Sequence, residues 1–102
     1  FVDLDWLIAP GGDFRDVNPF LYYVRIRDGQ RQRFRNHLLA AGIDTGIHWE
    51  PGHSFSYFRD CRRGPLDVTN RVTREIVSLP LHSKMRIEDS ERVIEAVCSF
   101  SP

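Results

Sequence analysis

This chain has 102 residues and a mass of 11.9 kDa, which is enough for one domain. Its residues are 41% hydrophobic and 27% charged, a composition that excludes a disordered or fibrous chain. Fourteen basic and fourteen acidic residues cancel, which argues against a nucleic-acid-binding domain because such domains carry a basic excess. No apolar run reaches the roughly 18 residues of a membrane span. Two distant cysteines, Cys61 and Cys98, without secretory features favour reduced thiols and a cytoplasmic protein.

The first part of the chain predicts an extended segment followed by a strand. Residues 1–19 have broken alternation and a Pro-Gly-Gly turn, so they predict an extended segment that leads into a domain over residues 20–102. Alternating side chains predict a strand from Phe20 to Ile26. One face of this strand would carry Phe20, Tyr22, Val24 and Ile26.

A helix is expected over residues 30–41, with Asp28 as its N-cap and Gly42 as the left-handed residue after its end. Its apolar side chains form an inward stripe of Phe34, Leu38, Leu39 and Ala41. Residues 43–49 are β-branched and alternating, which predicts a second strand, and residues 54–61 allow a short helical turn.

The last third predicts a helix, a short strand and a closing helix. The helix begins at Asp67, with Val68, Val72 and Ile76 at its apolar spacing. The third strand covers residues 77–81 and is expected at a sheet edge or to end at Pro80, because proline donates no hydrogen bond. The final helix covers residues 88–100, and its inward residues are Val93, Ile94, Val97 and Phe100.

This order of elements predicts an α+β fold: a small three-stranded mixed sheet with helices packed on one side.

Chemistry-bearing side chains concentrate in residues 48–58, where two histidines, a glutamate and several hydroxyls follow the predicted second strand. A surface loop anchored by its aromatic residues is the plain interpretation. A zinc site is one alternative, with ligands from His48, His53, Cys61 and His82, although their spacing fits no zinc finger, so no metal is expected. A nucleophile built from His53 with Ser54 or Cys61 is another, without a nucleophile-elbow motif.

Arginine supplies thirteen of the fourteen basic residues and is dense between residues 25 and 35. Alternate arginines of a helix point to different sides, so this run favours a solvated face or a protein contact over nucleic acid. A small ligand that carries phosphate remains a further alternative.

Two strings of residues carry a resemblance to a known family. Residues 42–53 read Gly-Ile, then Thr-Gly-Ile-His-Trp, then Pro-Gly-His, and residues 78–82 read Ser-Leu-Pro-Leu-His. This pattern resembles the C-terminal small domain of the DegT/DnrJ/EryC1/StrS family of pyridoxal-phosphate-dependent sugar aminotransferases. The closing helix is similar too, so the likeness covers residues 20–100.

The resemblance implies a fold-type-I aminotransferase that moves an amino group, usually from glutamate, to a keto sugar attached to a nucleotide, and that works as a homodimer. In that family a large N-terminal domain holds pyridoxal phosphate and supplies the Schiff-base lysine. The only lysine here, Lys84, matches no family lysine motif and would stay protonated on the surface. This implies a truncated aminotransferase that binds no cofactor and has no catalytic residue of its own.

By the same resemblance, the substrate-binding positions are His48, Trp49 and His53. His48 would donate to a sugar hydroxyl or a carboxylate, Trp49 would pack on a ring or in the core, and His53 would do either or hold the loop. Trp49 stands where the family more often has tyrosine. The expected partners are the large domain or a second copy of the chain, with a nucleotide sugar as ligand. The alternative is a free-standing binding module that kept the fold and lost the chemistry.

Overall fold

The structure is a computed structural model that describes residues 4–102. Its three strands are β1 (Leu7–Ile8), β2 (Tyr22–Ile26) and β3 (Ile76–Leu79). Its three α-helices are α1 (Arg31–Ala40), α2 (Asp67–Glu75) and α3 (Ile87–Cys98), and two single turns of 3₁₀-helix cover Gly52–Ser54 and Ser56–Phe58. Within the described residues, no helix is both long and apolar enough to cross a membrane.

The sheet has the order β1-β2-β3, and both pairs of neighbouring strands are antiparallel. The predicted α+β class with three strands is therefore confirmed, but the sheet is not mixed. Residues 43–49 do not form the predicted strand and contribute only one isolated bridge, between Gly46 and Ser78. The remaining strand of the sheet is β1, Leu7–Ile8, which pairs with residues 25–26. It lies within the segment that was expected only to be extended. The domain boundary at residue 20 stays a prediction.

One face of the sheet and two helices enclose the hydrophobic core. Tyr22 pairs with Leu79 and Val24 with Val77, so these side chains share a face by strand alternation. Helices α1 and α3 cover that face, and α2 contributes no buried residue. The buried apolar residues are Leu7, Val24, Ile26, Phe34, Leu38, Ile43, Val77, Leu79, Val93, Ala96, Val97 and Phe100.

Three residues expected to face inward are exposed: Leu39, Ala41 and Ile94. Phe20 and Val68, which belong to the apolar patterns of the first strand and of α2, are exposed too, and Ile76 belongs to β3 instead of α2. Two aromatic rings, Trp6 and Phe100, fill the space at the end of the core by packing edge-on at 5.1 Å between centroids. The core is therefore narrower than the apolar pattern predicts.

The ends of the elements follow local backbone chemistry. Asp28 does not cap α1 as predicted: it adopts φ +56° in the turn after β2, and Gln30 precedes the helix. Gly42 has φ +74°, which confirms the expected left-handed residue after α1. Arg86 precedes α3, and its backbone N–H donates to the Asp89 carboxylate at 3.1 Å, which supplies an N-terminal cap.

Candidate functional site

The loop after α1 is fixed to the edge of the sheet by the isolated bridge. The Gly46 N–H donates to the Ser78 carbonyl at 3.0 Å, and the Ser78 N–H donates to the Gly46 carbonyl at 2.9 Å. This pairing joins the Thr-Gly-Ile-His-Trp string to the Ser-Leu-Pro-Leu-His string, which are about 30 residues apart in the chain. The two strings that carry the family resemblance therefore meet at one place.

The His48 imidazole folds back over Gly46 and reaches Ser78. Its Nδ1 lies 2.9 Å from the Ser78 Oγ, a hydrogen bond in which either group is the donor depending on the imidazole tautomer. The position requires glycine at residue 46, because a Cβ there would lie 2.3 Å from His48 Cε1. Ser78 is buried, so this bond also satisfies its hydroxyl.

A cleft opens in front of His48 on the face of the sheet that α1 and α3 leave uncovered. Its walls are apolar and aromatic, and Ser78 supplies the polar floor: the lining residues are Leu21, Tyr23, Gly46, Ile47, His48, Trp49, Ile76 and Ser78. A second cleft of about 430 Å³ shares His48 and Ser78 with the first and extends to Asp44, Thr45 and His82. His48 thus lines two adjoining clefts, and each of them contains apolar as well as polar side chains.

Trp49 is on the surface, not in the core. Its side chain is 67% exposed and meets Phe20, itself 78% exposed, edge-on at 6.2 Å between ring centroids. Trp49 therefore does not pack in the core, and the alternative, that it packs on a substrate ring, stays a prediction.

His53 lies apart from the pair formed by His48 and Trp49. It belongs to the 3₁₀ turn Gly52–Ser54, is partly buried, and lines neither of the two clefts around His48. Ser78 and Tyr23 do line the first cleft, although the sequence analysis assigned them no role. Strand alternation places both on the uncovered face, and Ser78 opens the Ser-Leu-Pro-Leu-His string, so a signal for them was present.

The other candidate chemistries find no support in the geometry. Among residues 4–102 no three or more histidine, cysteine or acidic side chains are placed to hold a metal. Cys61 is a free, exposed cysteine. The Ser54 hydroxyl donates to the Pro51 carbonyl at 2.8 Å, which ties it to its own turn.

The arginine run does not form one basic face. Arg25 pairs with Glu75, the Arg31 guanidinium donates to the Thr73 carbonyl, and the Arg35 side chain donates to Thr45. Partial burial lowers the pKa of Arg31, and neighbouring Arg35 lowers it further. These contacts commit three arginines of the run to partners in different parts of the fold.

Comparison with known proteins identifies the family. The sequence profile that describes the DegT/DnrJ/EryC1/StrS aminotransferase family matches residues 7–98. The chain belongs to this family. It is 32% identical over 78 residues to the dTDP-3-amino-3,6-dideoxy-alpha-D-galactopyranose transaminase of Aneurinibacillus thermoaerophilus, a match that covers 76% of this chain and 21% of the relative.

A second curated relative is the dTDP-3-amino-3,4,6-trideoxy-alpha-D-glucose transaminase of Streptomyces venezuelae, 33% identical over 85 residues, which are 80% of this chain and 22% of the relative. The fold superposes on the sugar aminotransferase CalS13 of Micromonospora echinospora with a TM-score of 0.81 and 24% identity, over 97% of this chain and 27% of that one. The aminotransferase TlmJ of Streptoalloteichus hindustanus superposes with a TM-score of 0.76 and 26% sequence identity. This match covers 94% of this chain and 26% of TlmJ.

The chain thus spans about a fifth of the length of the curated relatives it matches.

The described residues do not fit a complete site for pyridoxal phosphate, the cofactor of this family. Lys84 is exposed in the turn between β3 and α3, and neither cleft around His48 includes a lysine. The amine of a Schiff base must lie within the cofactor site, and the only lysine of the sequence lines neither of these clefts.

Proposed function

We propose that this chain supplies the small domain of a nucleotide-sugar aminotransferase and cannot transaminate by itself. Membership of the family supports the first half of this proposal, as do two relatives whose names describe dTDP-sugar transaminases. The exposed position of the only lysine supports the second half. The reactive amine and the cofactor phosphate site would come from polypeptide outside these 102 residues.

The hydrogen bond between His48 and Ser78 is the observation that carries the proposal. Because Ser78 engages Nδ1, the imidazole is held with its Nε2 directed away from that bond and available to a ligand. Nε2 would bond a sugar hydroxyl or a carboxylate, and Trp49 would pack against a ring of the substrate. His53, in the next turn, would contact the substrate or hold the loop.

The size of the molecular surface supports a partner that completes the site. A folded monomer of 11.9 kDa is expected to expose about 6,000 Å², whereas this chain exposes 7780 Å². Part of the excess consists of large apolar side chains beside the cleft, including Phe20, Tyr23 and Trp49. Such clustered exposure is typical of a surface that another protein body covers. The partner proposed here is the large domain of the same enzyme, within a dimer.

Two free and exposed cysteines support a reducing compartment, the cytoplasm, as the location of this protein.

The test of the site is titration with a dTDP-sugar, followed by calorimetry or by NMR of the histidine rings. Saturable binding is expected, and His48→Ala and Trp49→Ala should each weaken it by about tenfold, the loss of one hydrogen bond or one ring contact. The matched control is His37→Gln, on the opposite side, where His37 bonds the Ala96 carbonyl at 2.9 Å. Equal weakening by the control variant would contradict the assignment of His48.

The test of inactivity is addition of pyridoxal phosphate to the isolated chain. We expect no visible absorption band of an internal Schiff base. A band that Lys84→Ala abolishes would overturn the proposal. Failure of the chain to associate with any lysine-bearing large domain would instead favour a free-standing binding module.

A further inference from the structure

A third cleft, which we name the arginine cleft, lies at the other end of the uncovered sheet face. Its volume is about 360 Å³, and its lining residues are Ile8, Arg25, Arg27, Asp28, Arg71 and Glu75. Strand β1 contributes Ile8, β2 and the turn after it contribute Arg25, Arg27 and Asp28, and α2 contributes Arg71 and Glu75. Three arginines from different parts of the chain therefore line a single cavity.

Arg25 is held in place by Glu75. The Arg25 Nε and Nη2 both donate to Glu75 Oε2, at 2.9 and 2.6 Å, and the two side chains are only 22% and 14% exposed. A partly buried pair of this geometry is a fixed structural element, unlike a mobile surface pair. Its charges largely cancel, so Arg25 shapes the floor of the cleft and offers its remaining N–H groups.

Arg27 and Arg71 carry the unbalanced charge. Both are exposed, and within residues 4–102 neither guanidinium forms an ion pair. Asp28 also lines the cleft and forms no ion pair among those residues, so the five charged groups leave an excess of one positive charge. Arg71 lies four residues before Glu75 on α2, which places both on the same side of that helix.

We propose that the arginine cleft binds a phosphate or diphosphate group. A planar guanidinium matches two oxygens of a phosphate, and Arg27 after β2 and Arg71 on α2 can hold a single polyanion between them. The electrically neutral Arg25–Glu75 pair limits the repulsion that three arginines would otherwise exert on one another.

The position of the cleft connects it to the His48 site. Arg25 and Arg27 follow Tyr23 at two-residue intervals, so they continue the same side of the chain, and four residues of strand cover roughly 13 Å. One extended molecule with a sugar at His48 and a diphosphate at the arginine cleft would span this distance. The identification of that molecule as a nucleotide sugar rests on the proposed function, whereas phosphate binding itself does not.

The experiment is calorimetric titration of the chain with inorganic pyrophosphate and, separately, with thymidine diphosphate at constant ionic strength. We expect saturable binding of both, weakened roughly ten- to a hundredfold by Arg27→Gln or Arg71→Gln, since each variant removes a charge-assisted hydrogen bond. The matched control is Arg62→Gln, an exposed arginine of the loop before α2 that lines no part of the cleft.

Absence of saturable binding would overturn the proposal, as would an equal effect of Arg62→Gln, because that result would indicate unspecific attraction. His48→Ala should leave pyrophosphate binding unchanged. Pyrophosphate binding without any dTDP-sugar binding would refute the proposed function and leave the arginine cleft standing. Tighter binding of thymidine diphosphate than of pyrophosphate would support a nucleotide as the source, and the reverse order would support a free phosphate.

Discussion

Gly46→Ala should expel the His48 imidazole from its position above residue 46. The added Cβ would lie 2.3 Å from His48 Cε1 and 2.9 Å from each ring nitrogen. Carbon atoms prefer separations of about 3.5–4.0 Å, so the ring must move by more than about 1 Å. The bond between Nδ1 and the Ser78 Oγ, now 2.9 Å, would then exceed hydrogen-bonding distance.

The expected loss of stability follows from this bond. A neutral hydrogen bond contributes about 0.5–1.5 kcal/mol, and an unpaired buried hydroxyl costs about 1–3 kcal/mol. Alanine returns about 0.4–1 kcal/mol by restricting the unfolded chain. The free energy of unfolding should therefore fall by about 1–2 kcal/mol, which chemical denaturation measures, while the backbone bridge to Ser78 remains.

The ring displacement has a separate readout in the nitrogen chemical shifts of His48. Ser78→Ala should produce the same change in these shifts by removing the hydrogen-bond partner without a steric contact. Gly52→Ala is the control, because a Cβ at Gly52 would meet no heavy atom within 4 Å. If Gly46→Ala leaves both the shifts of His48 and the stability unchanged, the described geometry of the site is wrong.

Four further substitutions test the core, a helix end and a helix cap. Phe34→Ala should lower the unfolding free energy by about 3–5 kcal/mol, since Phe34 is fully buried. Leu39→Ala on the same helix should change it by less than about 0.5 kcal/mol, because Leu39 is exposed. Similar losses for the two variants in urea denaturation would contradict the assigned helix face. Gly42→Ala should cost about 1 kcal/mol in the same assay, because φ is +74° there, and a neutral result would argue against the left-handed end of α1. Hydrogen bonds from the Arg86 side chain, and to a lesser extent from the Arg86 backbone N–H, hold the pKa of Asp89 below its ordinary value of 3.8. Asp89 therefore contributes to stability above that pH, and this contribution is lost as the pH falls through the lowered pKa. Asp89→Asn should accordingly destabilise the chain at neutral pH and have no effect at the acid end of a pH series of urea midpoints; a pH-independent difference would refute the cap.

The sequence predicted those elements whose signal is local. The helix at residues 31–40, the strand at 22–26 and the end of the third strand before Pro80 each follow from periodicity or from a single proline. The two-residue strand Leu7–Ile8 has no such signal, because it exists only through pairing with residues 25–26. Residues 43–49 alternate like a strand, but their pairing with the sheet is limited to the bridge at Gly46.

The candidate site shows the same division. A family pattern marks the positions of His48 and Trp49, and both side chains line one cleft, while their substrate-binding role stays a prediction. The Ser78 hydroxyl, 30 residues further along the chain, could not be assigned to His48 without the tertiary contact. Whether Ile94 is buried depends on which face of α3 packs against the sheet. Val93, Ile94 and Val97 are all apolar, so the sequence does not decide which of them face the core.

Helix α2 is attached to the molecule mainly by polar contacts. It buries no side chain completely, and its fixed points are the Arg25–Glu75 pair and the bond from Arg31 to the Thr73 carbonyl. Local opening of α2 would break these few contacts while the hydrophobic core stays closed. Since Arg71 belongs to α2, an anion that bridges Arg71 to Arg27 would add a further polar contact between this helix and the sheet and would oppose its local opening.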